Sequence, residues 1–309
     1  MSAINETPAG ETSEGTNLRI TNSTLAKEAI SGFQAQMRAL DQARREASTG
    51  IRVSRPSDDP VAVAGVMQST SGLRALEQYK RNLGIAQSRL AVEDSVLSEL
   101  TDALARAKEL GISQGGDTAS AATRTTAGAE VTRILDFVKD LANTQLSGSF
   151  IFGGQYADSA PFQGGTLDPT RPPEGDFRVE GGTRRFVETN HSAKEIFLDT
   201  DVVDGLQAMA DAMENNDVDG ITAALSRIDT AFDRVQNITG DLGARMNQLD
   251  VAVTNLDSLE VNLQTFRSDL EDADLTEAVT RLVERQGALE AAMLANSKIL
   301  NLTLTDYLR

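Results

Sequence analysis

The pentapeptide GISQG, Gly111 to Gly115, has the G-x-S-x-G spacing that can place a nucleophilic serine on a sharp turn. Such a Ser113 would need a strand leading into the turn and a histidine to accept its proton. A helical repeat leads into this turn instead, and the chain has one histidine, His191. A loop that ends a helix is the favoured interpretation, with a serine hydrolase built on Ser113 as the alternative.

A second candidate is NNDVDG, Asn215 to Gly220, where oxygen-bearing side chains alternate and glycine is sixth, as in a calcium-binding loop. Its first position is Asn, and Ser226 occupies the place where that loop needs a bidentate glutamate. We therefore predict a turn between two helices. His191 has no clustered ligands in sequence and is predicted to lie at the surface, so no metal or other cofactor is expected.

The stretch STGIRVSRPSDDPVAV, residues 48–63, contains two adjacent carboxylates, Asp58 and Asp59. They could form a metal site or an acid-base pair, but no histidine or third carboxylate is near them in sequence. Carboxylates at a helix start are more commonly caps. The stretch is therefore predicted to have a structural role.

That role is a joint between two helices. Gly50 suits the position after a helix, and Pro60 suits the first position of the next helix, with Asp59 as its N-cap. The joint residues are Gly50, Arg52, Arg55, Pro56, Asp58, Asp59 and Pro60. One of the two arginines is expected to pair with Asp58 or with a neighbouring subunit.

The composition excludes several classes of partner. Acidic residues outnumber basic ones by 46 to 29, and the net charge of −17 opposes nucleic-acid binding. The chain has no cysteine, and it has no apolar run of the roughly 18–20 residues that membrane insertion needs. Its first residues lack a secretory signal, so export would require another route.

The elements that surround these motifs are mostly helical. Apolar residues from Leu25 onward recur at steps of three and four, and this helix should end at Gly50. A second helix should run from Pro60 to near Gly111, with an apolar seam interrupted only by Glu93. Its length of roughly 75 Å predicts an elongated rod of coiled-coil-like helices. A third helix is predicted over about residues 119–146.

The middle of the chain has a different pattern. Glycine and proline accumulate between residues 147 and 198, and SFIFGG and DFRVEGGTRRFVE favour extended structure. A hairpin turn on Gly181-Gly182 is predicted. It would pair Val179 with Arg184 and Phe177 with Phe186.

Helical periodicity returns at about residue 203, again from Gly220, and after EDAD, where Asp274 or a neighbour should cap the last helix. The two helical arms should pack together in a mainly α fold with a small β-containing central domain. The predicted domains are a disordered leader at 1–17, an N-terminal arm at 18–146, a β-rich insert at 147–202 and a C-terminal arm at 203–309.

Apolar residues in the last turns lack an obvious partner within one molecule and are predicted to form an assembly surface. They are Leu289, Met293, Leu300, Leu302, Leu304 and Tyr307.

Four stretches, in this order, resemble the flagellin superfamily and, within it, the proteins of the hook-filament junction. They are LRIT at 18–21, ASTGIRVSRPSDDPVAV at 47–63, SGSFIFGGQYADSAPF at 147–162, and the C-terminal arm from LEDADLTEAV to TLTDYLR at 270–309. Arg55-Pro56, Pro60 and the ending TLTDYLR differ from flagellin itself.

The resemblance implies a structural protein rather than an enzyme, assembled as a short ring between hook and filament; a minor flagellin is the alternative. It implies self-association, contact with flagellin and hook-associated protein 1, and an export chaperone. It also implies an extracellular place in the flagellum, reached through the flagellar type III secretion apparatus without a cleaved signal peptide.

The leader departs from the pattern of that superfamily, whose chains usually begin at the residues that LRIT resembles. Either Met1 to Asn17 is a real extension or Leu18 marks the true start, and the second hypothesis is preferred because the leader has no periodicity.

Overall fold

The computed structural model describes residues 22–116, 118–163, 166–167, 171–175, 177–182 and 184–307. For residues 22, 23, 25, 26, 167, 185 and 298–307 it describes the backbone and not the side chain. The predicted leader and the LRIT motif lie outside the described residues. None of the helices in the described part of the chain is both long and apolar enough to span a membrane.

Six helices, six short strands and one π-helical turn make up the described fold. The helices are α1 (Asn22–Thr49), α2 (Pro60–Gln114), α3 (Ala121–Ala142), α4 (Val202–Glu214), α5 (Val218–Glu271) and α6 (Leu275–Tyr307). The strands are β1 (Gln145–Leu146), β2 (Ser149–Phe150), β3 (Phe162–Gln163), β4 (Thr166–Leu167), β5 (Arg178–Gly182) and β6 (Arg185–Glu188), and the π-helical turn is Lys194–Leu198. The fold is mainly α with a small β region, as predicted.

The described chain divides into two compact units. The terminal unit comprises residues 22–68 and 266–307, and the central unit comprises Ser69–Thr265. Helix α1 packs along α6 in the terminal unit. In the central unit, α2 lies against α5, and α3 packs against α4.

The pairing of α2 with α5 in the central unit is antiparallel, as a series of polar contacts shows. Lys80 forms ion pairs with Asp257, at 2.5 Å, and with Glu260. Further along, the amide of Gln87 donates to Asp250 at 3.1 Å, and Lys108 lies 2.6 Å from Asp229. The partner numbers fall as the α2 numbers rise, so the two helices run in opposite directions.

The buried apolar core lies in the central unit. It follows the leucine seam of α2, including the fully buried Leu83, Leu90 and Leu97, and extends to Phe152 and Phe197 of the β-containing region. The rings of Phe152 and Phe197 meet edge to face at 5.7 Å between centroids, a favourable aromatic geometry.

Helix α3 is shorter than predicted, since it ends at Ala142 and residues 145–146 form a strand. The side chain of Asn143 explains this end. Its amide nitrogen donates to the carbonyl of Phe162, and its amide oxygen accepts from the N–H of Phe162, both at 2.9 Å. These bonds fix the chain where it enters the β-containing region.

The predicted hairpin forms, but its predicted register is wrong. Val179 pairs with Val187 and Glu180 with Phe186, so the turn lies beyond the two glycines. Gly181 sits in a bulged strand against α2, where an added Cβ would lie 2.7 Å from Leu83 Cδ2. The glycine is therefore needed for close approach to a buried leucine, rather than for the turn.

Candidate functional site: the joint and the terminal helices

The first corner of the terminal unit begins at Gly50. This residue has φ of +71°, a left-handed conformation that favours glycine, and its N–H donates to the carbonyl of Glu46 at 2.9 Å. The hydroxyls of Ser48 and Thr49 both donate to the carbonyl of Arg45, at 3.0 and 2.9 Å. Helix α1 therefore ends at Thr49 because its last carbonyls are satisfied locally.

The two adjacent aspartates have different roles in this corner. Asp59 Oδ1 accepts from the N–H groups of Val61 and Ala62, at 3.1 and 3.0 Å, and so caps α2. Asp58 Oδ2 faces the other way and accepts from the N–H groups of Ser54 and Arg55, at 3.2 and 2.9 Å. Each carboxylate is therefore used for backbone geometry.

The hydrogen bonds of Asp58 also affect its acidity. Desolvation acts to raise the pKa of Asp58, but the N–H groups of Arg55 and Ser54 outweigh it and hold the pKa below its ordinary value. The side chain is thus a stable anion that closes the turn.

A second corner joins α5 to α6. Asp274 Oδ1 accepts from the N–H groups of Thr276 and Glu277, at 2.8 and 3.3 Å, and so caps α6 as predicted. The hydrogen bonds from Glu277 and then Thr276 lower the pKa of Asp274. In each corner, therefore, an aspartate side chain caps the start of the second helix.

The two corners are bonded to each other. Ile51 forms an isolated antiparallel bridge with Asp272, and the N–H of Ala273 donates to the carbonyl of Gly50 at 2.8 Å. The N–H groups of Arg52 and Val53 both donate to Glu271 O, at 2.8 and 3.2 Å. The joint is therefore a paired corner, made by two segments more than two hundred residues apart.

Arg52 adds a side-chain bond to this paired corner. Its guanidinium donates to the carbonyl of Leu270 at 2.9 Å, in the last turn of α5, where carbonyls lack helical partners. It also lies 4.0 Å from Asp59. Sequence analysis missed this role, because a backbone carbonyl at a distant helix end leaves no residue-type signal.

The described residues contain no close ion pair of an arginine with Asp58, although the charge of Arg55 helps to lower the pKa of that carboxyl. Arg52 points to Leu270 and Asp59, and Arg55 meets Asp58 through its backbone N–H. The carbonyl of Leu270 at the end of α5 thus takes the guanidinium of Arg52. Pairing with a neighbouring subunit stays a prediction.

The paired corner leads into α1 and α6, which leave much apolar surface uncovered. Exposed apolar side chains of the terminal unit include Ile30, Met37, Val61, Met67, Phe266, Leu275, Val279, Val283, Met293 and Leu294. Among its described side chains, the buried apolar residues are Ala43, Val53, Ala62 and Ala278. Three of these four are alanines, so the unit buries little apolar surface by itself.

The predicted assembly residues are placed on α6. Leu289 is half-buried, and Met293 has 55% of its surface exposed. The same helix contains the backbone of Leu300, Leu302, Leu304 and Tyr307, whose side chains the structure does not describe. The assembly role of this surface stays a prediction.

The alternative chemical sites take up structural positions. Ser113 lies in the last turn of α2, and its hydroxyl donates to the carbonyl of Leu110 at 2.9 Å. A helix thus stands where a nucleophile elbow needs a strand.

At the calcium-like loop, Asp217 Oδ1 accepts from the N–H of Gly220 at 3.0 Å and starts α5, so the predicted turn forms. Among the described residues, no group of three or more His, Cys, Asp or Glu side chains is placed so that it could hold a metal ion.

The prediction for His191 is wrong, because this residue is buried. Its ring lies between Glu93 of α2 and Asp241 of α5. The interruption of the apolar α2 seam at Glu93 was the sequence signal for a buried polar partner. Nothing local could identify a partner 98 residues away.

Two family models match the chain: the bacterial flagellin N-terminal helical region at residues 20–157 and the bacterial flagellin C-terminal helical region at residues 225–308. The chain belongs to the flagellin superfamily. The matched regions contain the paired corner, helix α1, which ends at it, and helix α6, which begins just after it. The resemblance inferred from the sequence is confirmed.

Within this superfamily, flagellar hook-associated protein 3 of Escherichia coli K12 is 27% identical over 305 residues, covering 88% of this chain and 96% of that protein. Flagellin FlaB2 of Treponema pallidum is 26% identical over 269 residues, covering 85% and 90%. The crystal structure of flagellar hook-associated protein 3 from Legionella pneumophila shares the fold, with a TM-score of 0.59, 16% identity and coverage of 66% of this chain and 98% of that one.

Proposed function

We propose that this flagellin-superfamily chain is a structural, non-enzymatic component of the bacterial flagellum that forms a short ring joining hook to filament. The relatives named flagellar hook-associated protein 3 support this assignment, because the alignment runs through nearly their whole length. The length match argues for the same kind of role rather than for a shared segment.

The observation that carries the proposal is the uncovered apolar surface of the terminal unit. Met293 and Leu294 expose 55% and 67% of their surface, on a helix that also carries exposed Val279 and Val283. Full burial of a fully exposed side chain of this kind is worth roughly 1.5–3 kcal/mol, so covering a side chain that is about half exposed is worth about half as much. Packing against other axial subunits would supply the missing contact.

The paired corner supports the same proposal. It ties α1 to α6 through backbone bonds between residues 50–53 and 271–273. Two helices held at a common corner present their apolar faces as one unit, which suits an assembly surface. The proposed partners are other copies of this chain, flagellin, hook-associated protein 1 and an export chaperone. Export through the flagellar type III apparatus, without a cleaved signal, is part of the proposal.

Electron microscopy of gold-labelled flagella tests the location. The junction function predicts label at one point, between hook and filament. Label along the whole filament would overturn it and favour the minor flagellin, the alternative that the likeness to FlaB2 supports.

A pair of substitutions tests the surface itself. Met293→Asp should block junction formation, because it puts a charge into the apolar contact. The control is Ile112→Asp in the central unit, at a side chain that is 61% exposed. The control should assemble. Normal junctions with both variants would remove the α6 surface from the proposal and leave the location test standing.

A further inference from the structure

His191 has a carboxylate on each side of its ring. Its Nδ1 lies 2.5 Å from Glu93 Oε1, and its Nε2 lies 3.1 Å from Asp241 Oδ2. The side chains of His191 and Glu93 are 8% and 2% exposed, so this contact is shielded from water. Helices α2 and α5 are thus bridged by the only histidine in the chain.

Two acceptors on one imidazole require two ring protons. A neutral ring has one N–H, so its other nitrogen would direct a lone pair at a carboxylate oxygen. Glu93 Oε1 also accepts from the backbone N–H of His191 at 3.3 Å. The arrangement therefore suits an imidazolium between two carboxylates.

Other charges surround the ring. Arg245 of α5 binds Asp241 at 2.6 Å and lies 3.8 Å from Glu188 at the end of β6. Arg89 of α2 lies one turn before Glu93. Glu195, in the π-helical turn, accepts from the N–H of Ser192 at 2.8 Å.

The balance of these charges favours protonation. Burial acts to lower the pKa of His191, but the hydrogen bond and charge of Glu93 outweigh it. The charge of Arg245 lowers the pKa, and the hydrogen bond to Asp241 raises it, leaving it above the ordinary value.

The ring belongs to a buried polar segment that is also held to α5, because Arg245 donates to the carbonyl of Asn190 at 3.3 Å. Residues Thr189, Asn190, His191 and Ser192 are all buried between β6 and the π-helical turn. Asn190 Oδ1 accepts from the N–H of Phe177 at 2.7 Å, just before β5. The ring of Phe177 lies 4.6 Å from the Arg89 guanidinium carbon. The segment that carries His191 therefore also binds the start of β5, next to its contact with α2.

We propose that His191 is a proton-operated latch that fastens the Thr189–Ser192 segment and the base of the β5–β6 hairpin to α2 and α5 when protonated and releases them when neutral. In the neutral form one ring nitrogen directs its lone pair at a carboxylate, and the ring loses one of its two hydrogen bonds to the helices. The latch is a conformational device of the central unit and does not depend on the junction function.

The direction of the pH dependence follows from linkage. A histidine whose pKa is raised on folding contributes stability that is fully present below its unfolded value, about 6.5. That stability is lost as pH rises through the folded value. The latch should therefore open as the pH rises above about 6.5 and through the folded value, a range in which no other histidine and no cysteine contributes.

A proton NMR titration of the full chain tests the latch directly, since a single histidine gives a single Hε1 resonance. We expect it to titrate above the ordinary value of about 6.5. Each unit of increase corresponds to a tenfold preference of the fold for the protonated ring. A titration at or below the ordinary value would overturn the proposal.

Hydrogen exchange gives the structural readout. Protection factors, which remove the intrinsic rise of exchange with pH, should fall about tenfold or more for amides at residues 177–192 as the resonance titrates. Protection of the α3 amides should stay constant. Unchanged protection at 177–192 through the titration would mean a buried pair with no latch action, and would overturn the proposal.

A matched pair of variants identifies the partner. Glu93→Gln removes the carboxylate and keeps an amide oxygen, so the pKa of His191 should fall and the pH dependence of protection should disappear. Glu99→Gln, at an exposed position of the same helix, should leave both unchanged. If Glu93→Gln fails to fold, the titration of the native chain still decides.

Discussion

The guanidinium of Arg52 donates a hydrogen bond to the carbonyl of Leu270 at 2.9 Å, across 218 residues of sequence. This bond satisfies a carbonyl at the end of α5 with a side chain from the loop that starts α2. The joint therefore depends on both corners, since neither corner supplies all of its own hydrogen-bond partners.

Arg52→Ala should therefore lower the free energy of unfolding by about 1 kcal/mol, because a charged hydrogen bond is lost at a partly exposed site. Urea denaturation would measure the change. Arg55→Ala, at an exposed position of the same loop, should have a smaller effect. Equal effects of the two variants would contradict a specific role for the Leu270 bond.

Gly50→Ala should destabilise the protein by about 1 kcal/mol, because φ of +71° places an alanine in the left-handed region. Space is not the reason, since the nearest atom to an added Cβ is Leu275 Cδ2 at 3.9 Å. The matched control is Gly32→Ala within α1, where nothing lies within 4 Å. That control should stabilise by about 0.5–1 kcal/mol through helix propensity. Thermal unfolding of both variants should show shifts of opposite sign.

Gly181→Ala should destabilise the central unit by about 1–3 kcal/mol, the usual range for overpacking beside a buried side chain. The added methyl would lie 2.7 Å from Leu83 Cδ2, and Leu83 is fully buried. Gly84→Ala is the control on α2, since nothing lies within 4 Å of its added Cβ. A tolerated Gly181→Ala would show that the hairpin can shift away from α2.

Asp201→Asn should make the free energy of unfolding fall less steeply as the pH is lowered. The hydrogen bonds of Arg227 to both oxygens, at 2.6 and 2.7 Å, lower the pKa of Asp201. Its contribution is present above the ordinary value of about 4 and is lost as pH falls through the folded value. Asparagine tolerates φ of +71°, so the substitution isolates the charge.

The expected loss for Asp201→Asn is about 1 kcal/mol near neutral pH, because both side chains are partly exposed. Unfolding followed from neutral pH to about pH 3 should show a shallower slope than in the native chain. Asp233→Asn, at an exposed site on α5, should keep the native slope. An unchanged slope for Asp201→Asn would contradict the assignment.

Local chemistry was sufficient to predict the joint. Gly50 ends α1, and Asp59 with Pro60 starts α2, because glycine conformation, carboxylate capping and the proline ring act within a few residues of chain. Asp274 starts α6 for the same reason. The apolar faces of the helices could also be predicted, since apolar residues at steps of three and four reflect only the geometry of a helix.

Contacts between distant residues were decided by the tertiary structure alone. Gly181 was predicted as a turn, but packing against Leu83 made it a strand residue and moved the register. His191 was predicted as exposed, but the Glu93 carboxylate in the α2 seam gave it a buried partner. Periodicity and propensity describe one segment at a time, whereas register and burial depend on the surface that another segment presents. The sequence by itself therefore determined where α2 and α6 begin, and the three-dimensional packing determined which side chains the helices bring together.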